Sequence, residues 1–190
     1  MEYSKNILEN PKIKGWIIYD KYFQDIHINS RKGSKLNKEK TRITEKNWGN
    51  NMIKEYCGYS KITKQWTTIL SEFIVKKILE KKGFIVNKPK KINNFKPDWE
   101  TEECIYEVKS RTYSTSGTAG EKILGVPFKY ASIPRLYNKP LKIVLVGFQE
   151  QEAISKFNIF SPTKEKKIMI DFWKNNFNIE FIKASDLFKS

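Results

Sequence analysis

Hydrophobic and polar positions in the second half of the chain predict interleaved helices and strands. Across 67–83, apolar residues recur at helical spacing between a threonine suited to an N-cap, Thr67 or Thr68, and a glycine suited to a helix end, Gly83. The almost continuous apolar run at 141–148 predicts a central strand buried on both faces. Further strands are predicted at 84–88, 95–99, 104–110 and 179–184, and further helices at 119–130 and 163–175. The pattern favours an α/β or α+β fold, with helices flanking a central mixed sheet.

The pattern in residues 1–60 is weaker. Aromatic residues cluster at 16–23 and indicate packed helices, whereas 31–46 carries seven basic residues, two glutamates and almost no apolar side chains. We therefore predict a helical N-terminal region with an exposed basic loop or arm at 31–46. This segment is either a solvated loop or an arm that orders on nucleic acid. The length suits one domain, 1–190.

Charge and composition narrow the classes of partner. The formal charge of +15 attracts polyanions, which favours nucleic acid, although anionic membranes or a lysine-biased coding sequence would also fit it. No apolar run approaches the ~20 residues of a membrane span, and no signal-like stretch begins the chain, so we expect a cytoplasmic protein without membrane contact. Cys57 and Cys104 are isolated and are expected to be buried thiols. The lone His27 is expected to be structural. No phosphate loop or dinucleotide fingerprint predicts a nucleotide cofactor.

Candidate chemistry is concentrated at Pro97-Asp98 and at Glu107-Val108-Lys109. Side chains alternate along a strand, so Glu107 and Lys109 share one face while Tyr106 and Val108 face the other side. The polar segment 100–103 predicts a turn that brings Asp98 beside Glu107 on a neighbouring strand.

Two carboxylates placed so closely repel each other unless a cation lies between them. Oxygen ligands of this kind suit Mg²⁺, for which Mn²⁺ can substitute, and the Val108 carbonyl can complete the ligand set with Asp98 and Glu107. Lys109 would orient or help to deprotonate an attacking water and would neutralise charge on a phosphate. These residues therefore predict metal-assisted phosphodiester hydrolysis.

The motif resembles that of the PD-(D/E)xK nuclease superfamily, and the resemblance covers roughly 67–148. It implies a restriction-endonuclease-like core, with 67–148 as the catalytic part, and activity similar to that of short type II restriction endonucleases. It also implies a supporting glutamate on the preceding helix, here Glu72, which reaches the metal through water. The alternative is that Glu72, at the edge of an apolar stripe, simply reaches solvent. A palindromic site on double-stranded DNA would call for a homodimer.

The segment after Lys109 is dense in hydroxyl groups and precedes a predicted helix N-terminus, both of which suit phosphate binding. The alternative is an ordinary surface loop. The candidate DNA-binding residues are Arg111, Thr112, Tyr113, Ser114, Thr115, Ser116, Thr118, Lys122, Lys129 and Arg135, with Arg31 and Lys32 as backbone contacts.

Two alternatives to a restriction endonuclease stay open. A repair, nicking or junction-resolving nuclease would use the same chemistry on a different DNA structure. A basic nucleic-acid-binding module without catalysis would need only the positive charge. The DNA sequence that is cut does not follow from these motifs.

Overall fold

The structure is a computed structural model that describes residues 6–32, 35–114 and 118–189, without the side chains of 27, 29–32, 118 and 119. Its α-helices are α1 Pro11–Ile18, α2 Lys21–Lys32, α3 Lys35–Tyr56, α4 Trp66–Lys81, α5 Val126–Lys129, α6 Ile133–Tyr137, α7 Phe148–Ser155, α8 Lys164–Phe177 and α9 Ala184–Lys189. Its strands are β1 Trp99–Glu100, β2 Ile105–Lys109, β3 Leu141–Leu145 and β4 Ile179–Lys183, and 3-10 helices lie at Ile7–Glu9 and Thr118–Gly125.

The four strands form one open sheet in the order β1-β2-β3-β4. β1 pairs antiparallel with β2, whereas β2, β3 and β4 run parallel, with Glu107 opposite Ile143 and Ile143 opposite Phe181. Parallel neighbours need a crossover connection, and helices between these strands supply it. The predicted mixed sheet flanked by helices is therefore confirmed. The predicted central strand is β3, which ends at Leu145, and Phe148 begins α7 instead.

The sheet separates two hydrophobic clusters because alternate side chains of each strand face opposite sides. On β2, Ile105 joins a cluster that contains Ile143, while Tyr106 and Val108 join another that contains Val144. The second cluster also holds buried aromatic side chains of the N-terminal helices. The N-terminal region thus shares one core with the sheet.

Helix α4 lies where the periodicity predicts a helix, but it begins at Trp66 and its N-cap residue Gln65 makes no side-chain cap bond. The predicted threonine caps are wrong, because Thr67 and Thr68 lie inside the first turn. The buried face includes Leu70 and Ile74, neither of which is exposed to solvent.

The loop predicted at 31–46 is wrong in the described residues of this segment, because α2 reaches Lys32 and α3 begins at Lys35, whereas the predicted exposure is confirmed for most of 35–44. Straight-chain Lys and Glu residues favour helix even when no apolar stripe marks the segment. The buried side of α3 consists of Glu45, Gly49, Asn50 and Ile53. Its first turns are exposed, so they carry no apolar pattern.

Three other expected elements are shorter or differently wound. The strands expected at 84–88 and 95–99 reduce to isolated bridges between Asn87 and Glu100 and between Ile92 and Phe95, with β1 beginning only at Trp99. The helix expected at 119–130 is a 3-10 helix followed by the single turn α5. Glycine and proline disfavour a continuous α-helix in this segment. In the described part of the chain, no helix is long and apolar enough to span a bilayer.

Candidate active site

The β1–β2 hairpin brings Asp98 close to Glu107 and Val108. A tight turn closes it, in which the Thr101 backbone N–H donates to the Cys104 carbonyl at 2.9 Å and the Cys104 N–H donates to Thr101 Oγ1 at 3.1 Å. Trp99 pairs with Tyr106, and the Asp98 N–H donates to the Tyr106 carbonyl at 3.0 Å. Asp98 lies just beyond the paired residues of the hairpin, close enough for the charge of Glu107 to act on its carboxylate.

The Asp98 carboxylate replaces a backbone partner at the end of the hairpin. Its Oδ2 accepts a hydrogen bond of 2.6 Å from the Val108 N–H. The N–H and the carbonyl of one strand residue point to the same edge, so the Val108 carbonyl points to the same side as Asp98. Lys109 Nζ contacts that carbonyl oxygen at 3.4 Å. Two oxygen atoms suited to bind a cation, one from the Asp98 side chain and one from the Val108 backbone, therefore lie at this edge of β2.

Glu107 is buried, with 3% of its surface exposed, and its Oε1 pairs with Lys109 Nζ. Its Oε2 is also buried and has no hydrogen-bond partner in the described part of the chain. An unsatisfied buried oxygen costs free energy, so its presence in a native site calls for a ligand or a cation. Burial raises the pKa of Tyr130, and the nearby charge of Glu107 raises it further.

Glu72 approaches the site from α4. Its backbone carbonyl accepts a 2.8 Å hydrogen bond from Trp99 Nε1, and this bond ties α4 to β1. Its carboxylate pairs with Lys88 Nζ at 2.9 Å, while Lys88 lies 3.8 Å from the centroid of the Trp99 ring. The end of β2 is also fixed to α4, since Ser110 Oγ lies 2.9 Å from Ser71 Oγ.

The three carboxylates act on one another electrostatically. Burial raises the pKa of Asp98 to about 8, and the charges of Glu107 and Glu72 contribute to that rise. The hydrogen bond from Val108 and the charge of Lys109 oppose it. Both glutamates therefore act on Asp98, although burial is the larger cause of its raised pKa.

Side chains alone do not form a metal cage here. Among the described residues, no group of three or more His, Cys, Asp or Glu is arranged to hold a metal ion. Glu72 is engaged with Lys88, so the donors that remain are Asp98, Glu107 and the Val108 carbonyl. Two carboxylates with one backbone oxygen suit Mg²⁺, which usually keeps several waters as further ligands.

Two of the predicted DNA contacts are buried in the structure, contrary to what a DNA-binding surface requires. Arg111 is buried and its Nη1 pairs with Glu152 Oε2 at 2.6 Å, while Tyr113 is only 5% exposed. The side chain of Ser114 donates to Glu45 from α3. The hydroxyl-rich segment therefore begins by packing on the protein, and no α-helix N-terminus follows it because Thr118–Gly125 is a 3-10 helix.

The other candidates divide by position. Lys122, Lys129 and Arg135 are exposed, Thr112 is half-buried, and Lys129 Nζ lies 4.8 Å from the Tyr130 ring centroid, beside the site. Outside the described residues lie Thr115, Ser116 and the side chains of Thr118, Arg31, Lys32 and His27.

Sequence reasoning missed Tyr130, Lys88 and Trp99 as neighbours of the acids. Each comes from a segment other than β2, so the spacing of the motif carries no signal for it. Buried Glu45 was missed because it lies in a basic segment. Cys104 is buried as expected, and Cys57 is half-buried.

No family model, curated protein or solved structure matches the chain. The superfamily resemblance therefore depends on the residues of the motif alone.

Proposed function

We propose that the protein is a Mg²⁺-dependent endonuclease that hydrolyses phosphodiester bonds of double-stranded DNA, built on a restriction-endonuclease-like core. The observation that carries this proposal is the hydrogen bond that fixes the Asp98 carboxylate to the Val108 N–H, next to Glu107, with one buried Glu107 oxygen left without a hydrogen-bond partner among the described residues. Lys109 lies on the same strand and face as Glu107.

Asp98, Glu107 and the Val108 carbonyl are the residues that would hold the metal. When bound, Mg²⁺ supplies positive charge at the scissile phosphate and lowers the pKa of a coordinated water, and Mn²⁺ can substitute for it. The Glu107 side chain is 5% exposed and that of Lys109 is 31% exposed, so Lys109 is the more accessible of the two to a substrate. In this proposal Lys109 orients the attacking water and stabilises charge that develops on the phosphate.

Glu72 has a supporting role in this proposal. Its charge contributes to the raised pKa of Asp98, although its carboxylate is turned towards Lys88. The hydrogen bond from Trp99 Nε1 to the Glu72 carbonyl keeps α4 at a fixed distance from the hairpin. Glu72 thus influences the metal through Asp98 or through water.

DNA is the substrate that the charge of +15 favours, and sequence-specific cleavage by a homodimer is the form of activity that we propose. The alternative is a basic DNA-binding module without catalysis. In that case Lys88 and Lys109 only offset the charges of Glu72 and Glu107, with which they pair. Cleavage separates the two functions.

The experiment is digestion of plasmid DNA by the purified protein with Mg²⁺ or Mn²⁺, alongside Asp98→Asn, Glu107→Gln and Lys109→Ala. Loss of a group that acts at the reacting phosphate is expected to lower the cleavage rate by about 10²–10⁴-fold. The matched control is Glu102→Gln, which removes an exposed carboxylate in the turn of the same hairpin and should cut like the wild type. Intact DNA with both metals, or variants as active as the wild type, would contradict the proposal.

The DNA substrate separates the nuclease classes. Discrete fragments from plain duplex support a restriction endonuclease. Cleavage confined to mismatched, nicked or branched DNA supports a repair or junction-resolving enzyme of the same chemistry.

A further inference from the structure

Residues 87–100 form a two-stranded hairpin, called here the basic hairpin, that ends at the candidate site. Ile92 and Phe95 exchange two backbone hydrogen bonds of 3.0 and 2.8 Å, and a second bridge joins Asn87 to Glu100. The two residues between Ile92 and Phe95 are Asn93 and Asn94, with φ of 46° and 66°. Positive φ at both positions defines a type I′ turn, which asparagine tolerates and which matches the twist of the strands.

The basic hairpin is fixed to the body of the protein. The Tyr137 hydroxyl donates to the Lys90 carbonyl at 2.5 Å and lies 3.2 Å from the Phe95 carbonyl oxygen. The Phe95 ring lies 6.0 Å from the Tyr130 ring, and both Pro89 and Pro97 are buried. Its backbone is therefore held in place before any ligand binds.

The exposed side of the basic hairpin is positively charged. The stretch from Lys81 to Pro97 contains no acidic residue, and the lysines at 88, 90, 91 and 96 are all exposed. Within the described part of the chain, Lys90, Lys91 and Lys96 form no ion pair, whereas lysines such as Lys139 and Lys167 do. Three positive charges are thus left for an external anion.

The basic hairpin leads directly into the candidate site. Lys96 precedes Pro97 and is thereby restricted to an extended conformation, and it lies two residues before Asp98. Two residues of extended chain span ~6.6 Å, which suits contact with a phosphate beside the one at the site. The basic hairpin also lies at the β1 edge of the sheet. In the described part of the chain, no further strand pairs with the sheet beyond this edge.

We propose that the basic hairpin is a DNA-binding element in which Lys90, Lys91 and Lys96 contact the phosphates that flank the scissile one. This inference rests on the proposed function and adds residues that the motif does not contain. A rigid ribbon that carries these three ammonium groups orients the backbone without an ordering cost, because its position is already fixed.

The test compares two triple variants with equal loss of charge, both in the Lys109→Ala background with Mg²⁺. One is K90Q/K91Q/K96Q. The control is K164Q/K167Q/K174Q on α8, whose exposed lysines lie on a helix that packs against β4 at the opposite edge of the sheet. Fluorescence anisotropy of a labelled duplex gives Kd over a range of salt concentrations.

The hairpin triple variant should bind more weakly, and its slope of log Kd against log salt should fall by about 3, at ~0.9 for each phosphate that a lysine no longer neutralises. The control should keep its slope to within about 1. Equal losses in both variants, or no loss in the hairpin variant, would overturn the inference, as would hairpin-dependent binding to anionic lipid vesicles but not to duplex DNA.

Binding and cleavage together distinguish a wrong role for the basic hairpin from a wrong proposed function. If the wild type cuts DNA while the hairpin triple variant keeps the parent Kd and slope, only the role of the hairpin is wrong. If the wild type neither binds nor cuts DNA, the proposed function is wrong and this inference falls with it.

Discussion

The buried carboxylate of Glu45 should make the stability of the protein depend on pH near neutrality. Glu45 lies on α3 with 1% of its surface exposed, and it accepts hydrogen bonds from the Tyr113 N–H at 2.9 Å, from the Ser114 N–H at 3.2 Å and from the Ser114 hydroxyl. Burial raises the pKa of Glu45 to about 7, although these hydrogen bonds and the charge of Arg111 oppose the rise. The folded protein therefore holds the Glu45 proton more tightly than the unfolded chain does.

The sign and size of the effect follow by linkage. The contribution of Glu45 is fully present below its unfolded value, near 4.5, and is lost as pH rises through the folded value near 7. At about 1.4 kcal/mol for each pKa unit, the full loss is about 3 kcal/mol. Glu45→Gln cannot ionise, so the variant should escape this loss.

The assay is urea unfolding of wild type and Glu45→Gln at a series of pH values from ~4.5 to ~8. Other acids titrate in the same range, and burial also raises the pKa of Glu150, so the informative quantity is the difference in unfolding free energy between the two proteins. That difference should move by about 3 kcal/mol in favour of the variant. Glu39→Gln, which changes an exposed carboxylate on the same helix, should track the wild type. A difference that does not change with pH would refute the reasoning.

Three further perturbations have defined outcomes. Gly120→Ala would place a Cβ 2.3 Å from Glu152 Oε2, so thermal unfolding should show a loss of about 1–3 kcal/mol, and an unchanged midpoint would contradict this packing. Tyr137→Phe removes the hydroxyl that donates to the Lys90 carbonyl, and should cost about 1 kcal/mol and speed amide exchange in the basic hairpin. Mg²⁺ should raise the melting temperature of the wild type but not of Glu107→Gln, and chelation should reverse the rise; equal shifts in both proteins would place the ion elsewhere.

The sheet and its hairpin follow from local rules that apply to short stretches of sequence. Strand alternation alone puts Glu107 and Lys109 on one face, and the polar segment before Cys104 marks the turn that brings Asp98 across from them. β3 is recognisable because a strand buried on both faces needs a continuous apolar run.

The other features of the fold and of the site depend on contacts between segments that are distant in the sequence, so short stretches do not predict them. Glu45 gives no signal in a basic stretch, yet it holds the backbone of Ser114 far along the chain. Arg111 suits a DNA contact by its position, but its partner Glu152 lies on α7, and only the fold brings the two charges together. The sequence does not predict the basic hairpin, because its pairing consists of isolated bridges and its turn contains no glycine.

The alternation of β2 also determines where the chain tolerates a change in length. A residue inserted within β2 ahead of Glu107 would reverse the facing of every later side chain, turning the acid and the lysine into the cluster that Val108 occupies. A residue added at Glu102, in the exposed turn, leaves that phase intact and only lengthens a loop. We therefore expect the protein to tolerate an inserted residue in this turn but not in the strand that follows it.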